Sequence, residues 1–223
     1  DDFSLGTAAN IESARCNPGF CLLEADIADP ATACQVTGDI VADKGPVDMV
    51  WHLAANSDIA AGVADAGVDF RKTLSTTYAM LEASKAAKVK RFAFASTSAV
   101  YGERDDLLTE ESGPLLPISN YGAAKLASEA MLSAAAESFL ERIWIFRFPN
   151  VIGPRSTHGA IHDFAKRLAA APDCLGVLGD GTQQKPYLHV SELLEAMTFI
   201  VAQAVERRNV YNIGPKGDGT YVS

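Results

Sequence analysis

The sequence predicts an α/β protein in which a parallel sheet is covered by crossover helices and followed by a smaller C-terminal lobe. Three observations lead to this prediction. Short apolar runs alternate with longer amphipathic stretches up to about residue 150, which is typical of parallel strands joined by helices. The runs are apolar almost throughout, as expected for strands buried on both faces. Glycine and proline become frequent after Asn150, which indicates a lobe rich in loops.

The predicted elements follow from these runs in chain order. Strands are expected at GFCLLEAD, VDMVWHLAA, KRFAFAST, RIWIFRFPN and NVYNIG. Helices are expected in PATACQVTGDIVADKG, in VDFRKTLSTTYAMLEASKAAKV, from Tyr121 to about Phe139, and at about residues 161–171 and 191–205. No low-complexity linker and no internal repeat separates the parts, so one folded unit is expected.

The composition favours a globular protein and argues against nucleic acid as a partner. The 223 residues carry a formal net charge of −9, whereas phosphate-binding surfaces are basic. Hydrophobic residues make up 48% of the chain, yet no apolar run approaches the roughly 18–20 residues that a membrane helix needs. The acidic, polar start DDFSLGTAAN lacks the pattern of a signal peptide. We therefore expect neither nucleic acid nor a membrane among the partners.

The cysteines and histidines indicate neither a disulfide framework nor a metal site. No two cysteines form a C-x-x-C pair, and no histidine stands near them at zinc-finger spacing. Free thiols in a reducing compartment are expected, and with them a cytoplasmic location. His158 and His162 are four residues apart, as in some helical metal sites, but no H-E-x-x-H motif accompanies them. No metal is expected.

The stretch SNYGAAKLASEAM, residues 119–131, places a tyrosine four positions before a lysine at the start of a predicted helix. Residues four apart share one face of a helix, so Tyr121 and Lys125 are expected to be neighbours. A nearby cation favours the phenolate, and Lys125 is therefore predicted to lower the pKa of Tyr121. A tyrosine with a lowered pKa can transfer protons near neutral pH. The same spacing also occurs in helices without a catalytic role.

Polar residues follow several predicted strands at their carboxyl ends, where open parallel sheets bind ligands. The run ASTSAVYG places Ser96, Thr97 and Ser98 at one such end, and a hydroxyl there can bridge a substrate hydroxyl to the tyrosine. The alternative is a strand end whose hydroxyls bond to their own backbone. WHLAAN supplies small residues that let a flat cofactor approach the backbone. RFPN ends in Asn150, and GDGTQQKP leads to Lys185, a possible diphosphate contact.

Eight segments, in this order and spacing, resemble the extended short-chain dehydrogenase/reductase family, and within it the NAD-dependent nucleotide-sugar 4-epimerases. They are DDFSLG, EADI, HLAAN, STSAVYG, YGAAK, RFPNVIGPR, GDGTQQKPYLHV and YNIG, and they span the chain from Asp1 to its C-terminal region. The resemblance implies a Rossmann-type doubly wound α/β fold. Residues 1–150 would form the NAD-binding domain and residues 151–223 a nucleotide-sugar-binding lobe. The sequence contains no glycine-rich phosphate loop, and it stops at GDGTYVS just after a predicted strand, so the chain is expected to be incomplete at both ends.

The resemblance also implies roles for matching positions. Tyr121 would be the acid/base, Lys125 would hold the nicotinamide ribose, and Thr97 would share its hydroxyl with the substrate. The implied NAD contacts, besides Tyr121 and Lys125, are Asp1, Asp2, Phe3, Ser4, Leu5, Gly6, Asp26, Ile27, Leu53, Ala54, Ala55, Asn56, Thr73 and Pro149. The implied substrate contacts are Thr97, Asn150 and Lys185. The implied reaction is 4-epimerisation of a nucleotide sugar of the UDP-glucose/UDP-galactose type through a 4-keto intermediate, with NAD regenerated in each cycle.

Four positions depart from the family's pattern. Dehydratases of the family usually carry an acidic residue two places before the tyrosine of VYG, where this chain has Ala99, so dehydration is disfavoured. Thr73 stands where an asparagine is common. Lys185 replaces the usual arginine and loses its bidentate phosphate geometry, and Leu178 stands where an aromatic residue often stacks on the base. The identity of the nucleotide and of the sugar stays open.

Two other functions also stay open at this point. One is another sugar-nucleotide oxidoreductase: a 4-ketoreductase or 3,5-type epimerase/reductase, either of which would consume reduced cofactor, or a dehydratase. The other is a non-catalytic dinucleotide-sensing protein on the same fold, although such proteins often lose the tyrosine or the lysine. Members of the family pair two helices across a two-fold axis, so a homodimer is expected through the helices near residues 74–87 and 121–139.

Overall fold

A computed structural model describes residues 1–4, 6–157, 159–177, 184–215 and 221–222 of the chain. The chain forms two compact units. One comprises Asp1–Arg147 with Ala204–Asn212, and the other comprises Phe148–Gln203 with Ile213–Ser223. The division expected at residue 150 therefore needs one correction, because residues 204–212 return to the first unit instead of staying with the C-terminal lobe.

The helices and strands alternate along the chain. In order they are α1 (Glu12–Arg15), α2 (Pro30–Lys44), β1 (Met49–His52), α3 (Ile59–Ala64), α4 (Ala66–Asp69), α5 (Thr76–Ala86), β2 (Arg91–Thr97), α6 (Asn120–Ser138), β3 (Arg142–Phe148), β4 (Asn150–Ile152), α7 (Ala160–Ala170), β5 (Lys185–His189), α8 (Val190–Gln203), β6 (Arg208–Asn212) and β7 (Tyr221–Val222). Turns of 3-10 helix, Ala8–Ile11 and Ser98–Tyr101, precede α1 and follow β2, and a π-helical segment, Phe70–Ser75, joins α4 to α5.

Strands of the first unit form the predicted parallel sheet. Among the described residues its order is β1-β2-β3-β6. Strand β1 runs parallel to β2, with Met49 opposite Arg91, and β3 runs parallel to β6. The sheet packs its apolar side chains against α5 and α6, and the core cluster contains Leu81, Phe92, Phe94, Leu132, Ala135, Ala136, Leu140, Ile143 and Ile145. Because parallel strands end at the same edge, the carboxyl ends of β1 and β2 are neighbours.

Polar caps fix where the two longest helices of this unit begin. Asp29 accepts a hydrogen bond of 2.8 Å from the N–H of Thr32 at the start of α2. Ser119 accepts one of 3.1 Å from the N–H of Gly122 at the start of α6. Such caps satisfy N–H groups that have no partner inside the helix. The beginning of α6 is therefore fixed directly before the tyrosine motif.

The segment GFCLLEAD is not a strand, and this prediction is wrong. Residues 20–26 carry no regular secondary structure, and within the described part of the chain this segment bonds to the chain start through Leu23 and Ala25, both to Asp1. A strand needs a continuous ladder with a neighbour, which two bonds to one residue do not provide. The other predicted strands and helices correspond to β1, β2, β3, β6, α2, α5, α6, α7 and α8.

Among its described residues, the second unit contains a smaller sheet and the helices α7 and α8. Strand β4 runs parallel to β5, with Asn150 opposite Tyr187, and β5 runs antiparallel to β7. Helix α8 packs against β4 and β5. Among the residues that the structure describes in either unit, no helix combines the length and the apolar character needed to cross a membrane.

Candidate active site

The end of β2 and the first turns of α6 bring together the three residues predicted to be catalytic. Tyr121 and Lys125 lie one turn apart on α6, with the Lys125 ammonium 5.8 Å from the centre of the tyrosine ring. Lys125 Nζ donates a hydrogen bond of 2.6 Å to the carbonyl of Ala95 on β2. Thr97, two residues further along β2, accepts a hydrogen bond of 3.1 Å from the N–H of Ala99, and its hydroxyl lies near enough to Tyr121 to influence the pKa of the phenol. The expected proximity of tyrosine and lysine is confirmed.

Gly122 allows α6 to approach the turn that follows β2. A Cβ at this position would lie 2.8 Å from the carbonyl oxygen of Ala99 and 2.9 Å from Cβ of Pro117. Any side chain would therefore require the start of the helix to shift. The glycine beside Tyr121 thus helps to set the distance between the phenol and β2.

The ionisation of Tyr121 differs from the prediction made for it. Burial raises the pKa of Tyr121 to about 12, the neighbouring side chain of Thr97 acts in the opposite direction, and the charge of Asp69 raises it further. Lys125 is itself buried and directs its ammonium at the Ala95 carbonyl. The predicted lowering of the tyrosine pKa by Lys125 is therefore wrong for the chain by itself.

Of the two residues, Lys125 is the one whose charge changes near neutral pH. Burial lowers the pKa of Lys125 to about 7, and Glu129, one turn further along α6, opposes this change. On the neighbouring strand, burial and then Lys125 lower the pKa of His52 to about 3. His52 Nε2 lies 3.2 Å from Thr77 Oγ1. The histidine is therefore neutral near pH 7, whereas the lysine changes charge there.

A buried polar cluster follows the end of β1. The backbone N–H of Asn56 donates to Thr73 Oγ1 at 3.0 Å, and the Asn56 amide donates to Asp69 Oδ1 and to the Asp58 carbonyl, both at 2.8 Å. The resemblance assigns Asn56 and Thr73 to NAD, but these polar atoms of the two residues already form hydrogen bonds within the chain. Asp69 is 1% exposed, and its Oδ2 has no hydrogen-bond partner within the described residues.

Asp69 is a residue of this region that the sequence analysis missed. Oδ2 of Asp69 packs against Gly62, where a Cβ would lie 1.9 Å from that oxygen. The carboxylate influences Tyr121 electrostatically, as its effect on the tyrosine pKa shows. The available signal was an acidic residue inside the otherwise apolar start of a helix, in AGVDF.

The start of the chain carries the residues assigned to the adenosine end of NAD. Asp2 Oδ1 accepts hydrogen bonds from the N–H of Ser4 at 3.0 Å and from its hydroxyl at 2.8 Å, and these bonds lower the pKa of Asp2. Lys72 Nζ donates to Ser4 Oγ at 2.9 Å. Asp2 is thus an exposed, ionised carboxylate. Asp1 is exposed, Phe3 and Gly6 are half-buried, and Leu5 lies outside the described residues.

The carboxyl end of β1 exposes apolar surface. Leu53 is 58% exposed and Ala54 is exposed, while Ala55 is half-buried. These residues directly follow His52, the last residue of β1, and β1 is the strand next to β2. An exposed apolar surface at this place can contact the face of a flat ring. Of the other residues assigned to NAD, Asp26 is exposed, and Ile27 packs against the Ala33, Ala79 and Ala83 cluster.

The remaining predicted residues belong to the second unit. The Asn150 amide donates to the Pro186 carbonyl at 3.5 Å, Pro149 is half-buried, and Lys185 is exposed at the start of β5. Leu178 and His158 lie outside the described residues.

Comparison with known proteins gives the chain a family context. The profile of the NAD dependent epimerase/dehydratase family matches residues 4–214. An uncharacterized UDP-glucose epimerase of Bacillus subtilis is 30% identical over 182 residues, which cover 80% of this chain and 57% of that protein. The chain thus spans little more than half the length of this relative.

Solved structures show the same similarity. A crystal structure of UDP-galactose 4-epimerase has a TM-score of 0.83 at 30% identity, and the match covers 100% of this chain and 69% of that one. A crystal structure of a dTDP-glucose 4,6-dehydratase from Streptomyces venezuelae, with NAD bound, has a TM-score of 0.83 at 26% identity and covers 97% and 64% of the two chains. The fold is thus shared by an epimerase and a dehydratase.

Proposed function

Because this chain belongs to the NAD dependent epimerase/dehydratase family, we propose that it catalyses the 4-epimerisation of a nucleotide sugar of the UDP-glucose/UDP-galactose type. The observation that carries the proposal is the meeting of Thr97, Tyr121 and Lys125 at the carboxyl end of β2. Ala99 supports epimerisation over dehydration, because a dehydratase needs an acid to expel water from the neighbouring carbon. A similar solved structure of a 4-epimerase adds support.

The described residues fit the cofactor of the family. When bound, NAD supplies a hydride acceptor and a positively charged ring. Leu53 and Ala54 offer an exposed apolar surface beside the end of β2. Lys125 uses one ammonium proton on the Ala95 carbonyl and keeps two donors for ribose hydroxyls. Asp2 offers an ionised carboxylate that can accept from a second ribose.

The residues around Tyr121 suit transfer of the sugar's 4-hydroxyl proton. In the proposed reaction, Tyr121 as phenolate takes this proton while hydride leaves carbon 4, which yields a 4-keto sugar. Thr97 lies beside the phenol and offers its own hydroxyl to orient the sugar hydroxyl. A positive charge beside a phenol lowers its pKa, so a cationic ring held next to Tyr121 would oppose the burial that raises the pKa of this residue to about 12. Tyr121 returns the proton when the hydride returns on the sugar's other face.

Two further assignments accompany this proposal. Asn150 and Lys185 are proposed contacts of the nucleotide diphosphate, because each carries an exposed polar or charged group. A homodimer through α5 and α6 is proposed as well. It is supported by Tyr78 of α5, which is 44% exposed, and by exposed or half-buried small residues of α6.

Conversion of UDP-galactose by the full-length protein tests the proposed function. Both epimers are followed by chromatography while absorbance reports any net NADH. We expect UDP-glucose to form without net NADH, and Tyr121→Phe to lower kcat by roughly 10²–10⁴-fold because the acid/base is lost. Tyr211→Phe, which alters an exposed tyrosine of β6, should leave kcat unchanged.

Other outcomes of this assay would point to the alternative functions. Stoichiometric consumption of NADH with a sugar-nucleotide substrate would favour a reductase, and accumulation of a dehydrated keto sugar would favour a dehydratase. A protein that binds NAD but converts no nucleotide sugar would instead be a dinucleotide sensor, and the epimerase proposal would be wrong.

A further inference from the structure

We propose that Glu129 and Arg147 form a buried ion pair that positions Lys125 and keeps its ammonium charged, so that both act as positioning residues of the reaction. This inference rests on the proposed function, since it assigns a role in the same active site. It concerns residues of the first unit alone, which join α6 to β2, β3 and β6.

Glu129 completes a regular set of contacts between β2 and α6. Ala95 of β2 accepts a hydrogen bond from Lys125 of α6, and Thr97 of β2 lies beside Tyr121, as described above. Between them, the hydroxyl of Ser96 donates to the carboxylate of Glu129, one turn beyond Lys125. Two consecutive residues of β2, Ala95 and Ser96, therefore bond to two successive turns of one face of α6. Glu129 fixes the helix at the turn that follows the lysine.

Arg147 holds the carboxylate from β3. Its Nε lies 3.0 Å from Glu129 Oε1 and its Nη2 lies 2.6 Å from Oε2, a bidentate pair. The two side chains are only 7% and 6% exposed. The remaining Arg147 Nη1 donates to the hydroxyl of Tyr101 at 2.9 Å, and this hydroxyl donates to Asn212 Oδ1 at 2.7 Å. Arginine and carboxylate are thus anchored on β3, on β6 and on the turn after β2.

Stability alone gives little reason to bury this pair. Removing two charges from water costs several kcal/mol per ion, and replacing such a pair by apolar residues is often neutral or stabilising. The pair does, however, place a fixed anion one turn from a buried ammonium. That ammonium belongs to Lys125, which the proposed mechanism needs in its charged form. A role in holding that charge explains the buried carboxylate better than a role in stability.

The charges around the lysine support this role. Burial lowers the pKa of Lys125 to about 7, and Glu129 is the group that acts in the opposite direction. Without the carboxylate, the balance shifts toward the neutral amine. The titratable and charged groups that face Lys125 or its tyrosine are Tyr121 and Glu129 on α6, His52 on β1, Asp69 on α4, and Arg147 on β3 behind the carboxylate.

The first test is Glu129→Gln in the full-length protein, assayed across pH. The amide keeps the size of the side chain but removes its charge. We expect kcat to fall by roughly 10- to 100-fold through misplacement of the lysine. The limb of the pH profile that reports Lys125 should move to lower pH. Glu137→Gln on the same helix is the matched control, because Glu137 is 57% exposed and pairs with surface arginines. Glu137→Gln should leave both kcat and the position of the pH profile unchanged.

The second test does not depend on activity. The protein is labelled with ¹³C-lysine, and the side-chain signal of Lys125, identified by its loss in Lys125→Met, is titrated without cofactor. Its midpoint should lie at lower pH in Glu129→Gln than in the wild type and in Glu137→Gln. Arg147→Lys, which keeps a positive charge but loses the bidentate geometry, should lower kcat with a smaller change of the midpoint.

The double variant Glu129→Gln/Arg147→Gln covers the case in which a single change prevents folding. It removes both charges, leaves no uncompensated ion, and should still show the lower Lys125 midpoint. An unchanged midpoint in a folded variant that lacks the Glu129 charge would overturn the inference. If the wild type converts no nucleotide sugar, the proposed function fails separately, and the titration still decides whether Glu129 holds the charge of Lys125.

Discussion

Tyr121 and Lys125 lie one helical turn apart, as their spacing in the sequence predicts, yet burial sets the pKa of each residue. Burial raises the pKa of Tyr121 to about 12 and lowers that of Lys125 to about 7. Sequence spacing identifies which side chains meet, because helix geometry is regular. It does not reveal how deeply they are buried, and desolvation can outweigh a neighbouring charge. The predicted partnership is therefore confirmed, whereas its predicted electrostatic effect is not.

The lowered lysine pKa gives the free energy of unfolding a defined pH dependence. The pKa of Lys125 is about 7 in the folded chain against 10.5 for the ordinary side chain, so the unfolded state binds more protons between these values. The free energy of unfolding of the wild type, compared with that of Lys125→Met, should therefore increase as pH rises from about 7 to about 10.5. The increase should be at most roughly 1.4 kcal/mol per pH unit. Denaturant unfolding at several pH values measures this. Lys85→Met, at an exposed site of α5, should show no such trend, and a parallel trend in both variants would contradict the account.

Asp69 offers a second test at the level of single residues. Its buried charge raises the pKa of Tyr121, so Asp69→Asn should lower that pKa while preserving the size of the side chain. Phenolate absorbance, taken as the difference from the same variant carrying Tyr121→Phe, measures the titration. Asp43→Asn, at a highly exposed position on α2, is the control. An unchanged tyrosine titration in Asp69→Asn would contradict the electrostatic coupling.

At the scale of elements, the close approach of α6 to the turn after β2 positions the tyrosine. Gly122→Ala should destabilise the fold by about 1–3 kcal/mol and lower kcat, because the new Cβ would lie 2.8 Å from the Ala99 carbonyl oxygen. Gly38→Ala in α2, where nothing lies within 4 Å of the new Cβ, should stabilise by roughly 0.5–1 kcal/mol. Thermal unfolding and kcat measure both changes. Equal effects of the two substitutions would contradict this prediction. They would show that helix propensity, and not the close approach of α6 to the turn after β2, determines the effect of Gly122→Ala.

The elements also show what could be predicted from the sequence. Helices α2 and α6 begin at side-chain caps, and β2 and β3 contain the apolar runs FAFA and IWIF, so their existence was predicted correctly. GFCLLEAD has the composition of a strand but no ladder beside it, and composition cannot show whether a partner strand is present. The π-helical turn at Phe70–Ser75 depends on tertiary packing, so no local pattern predicts it. For Asp69 the local pattern shows an acidic residue among apolar ones, but its burial and its contacts also depend on tertiary packing.

At the scale of the whole molecule, two compact units divide the predicted residues. The first holds Thr97, Tyr121 and Lys125, and the second holds Asn150 and Lys185. Strand β6 returns to the first unit and pairs with β3 after the intervening second unit. This pairing joins strands that are far apart in the sequence. A single boundary placed at one residue, as in the sequence prediction, cannot represent it. The parallel sheet and the family were nevertheless predictable, because eight segments keep their order along the chain.

Epimerisation by hydride transfer is tested by following the hydrogen at carbon 4 of the sugar. The full-length protein is incubated in ordinary water with UDP-galactose that carries deuterium at carbon 4, and the product is analysed by NMR. If hydride leaves and returns through bound NAD, UDP-glucose should form with deuterium still at carbon 4 and without net NADH. Product that has exchanged this deuterium for solvent hydrogen, or a failure to form the epimer at all, would contradict the account.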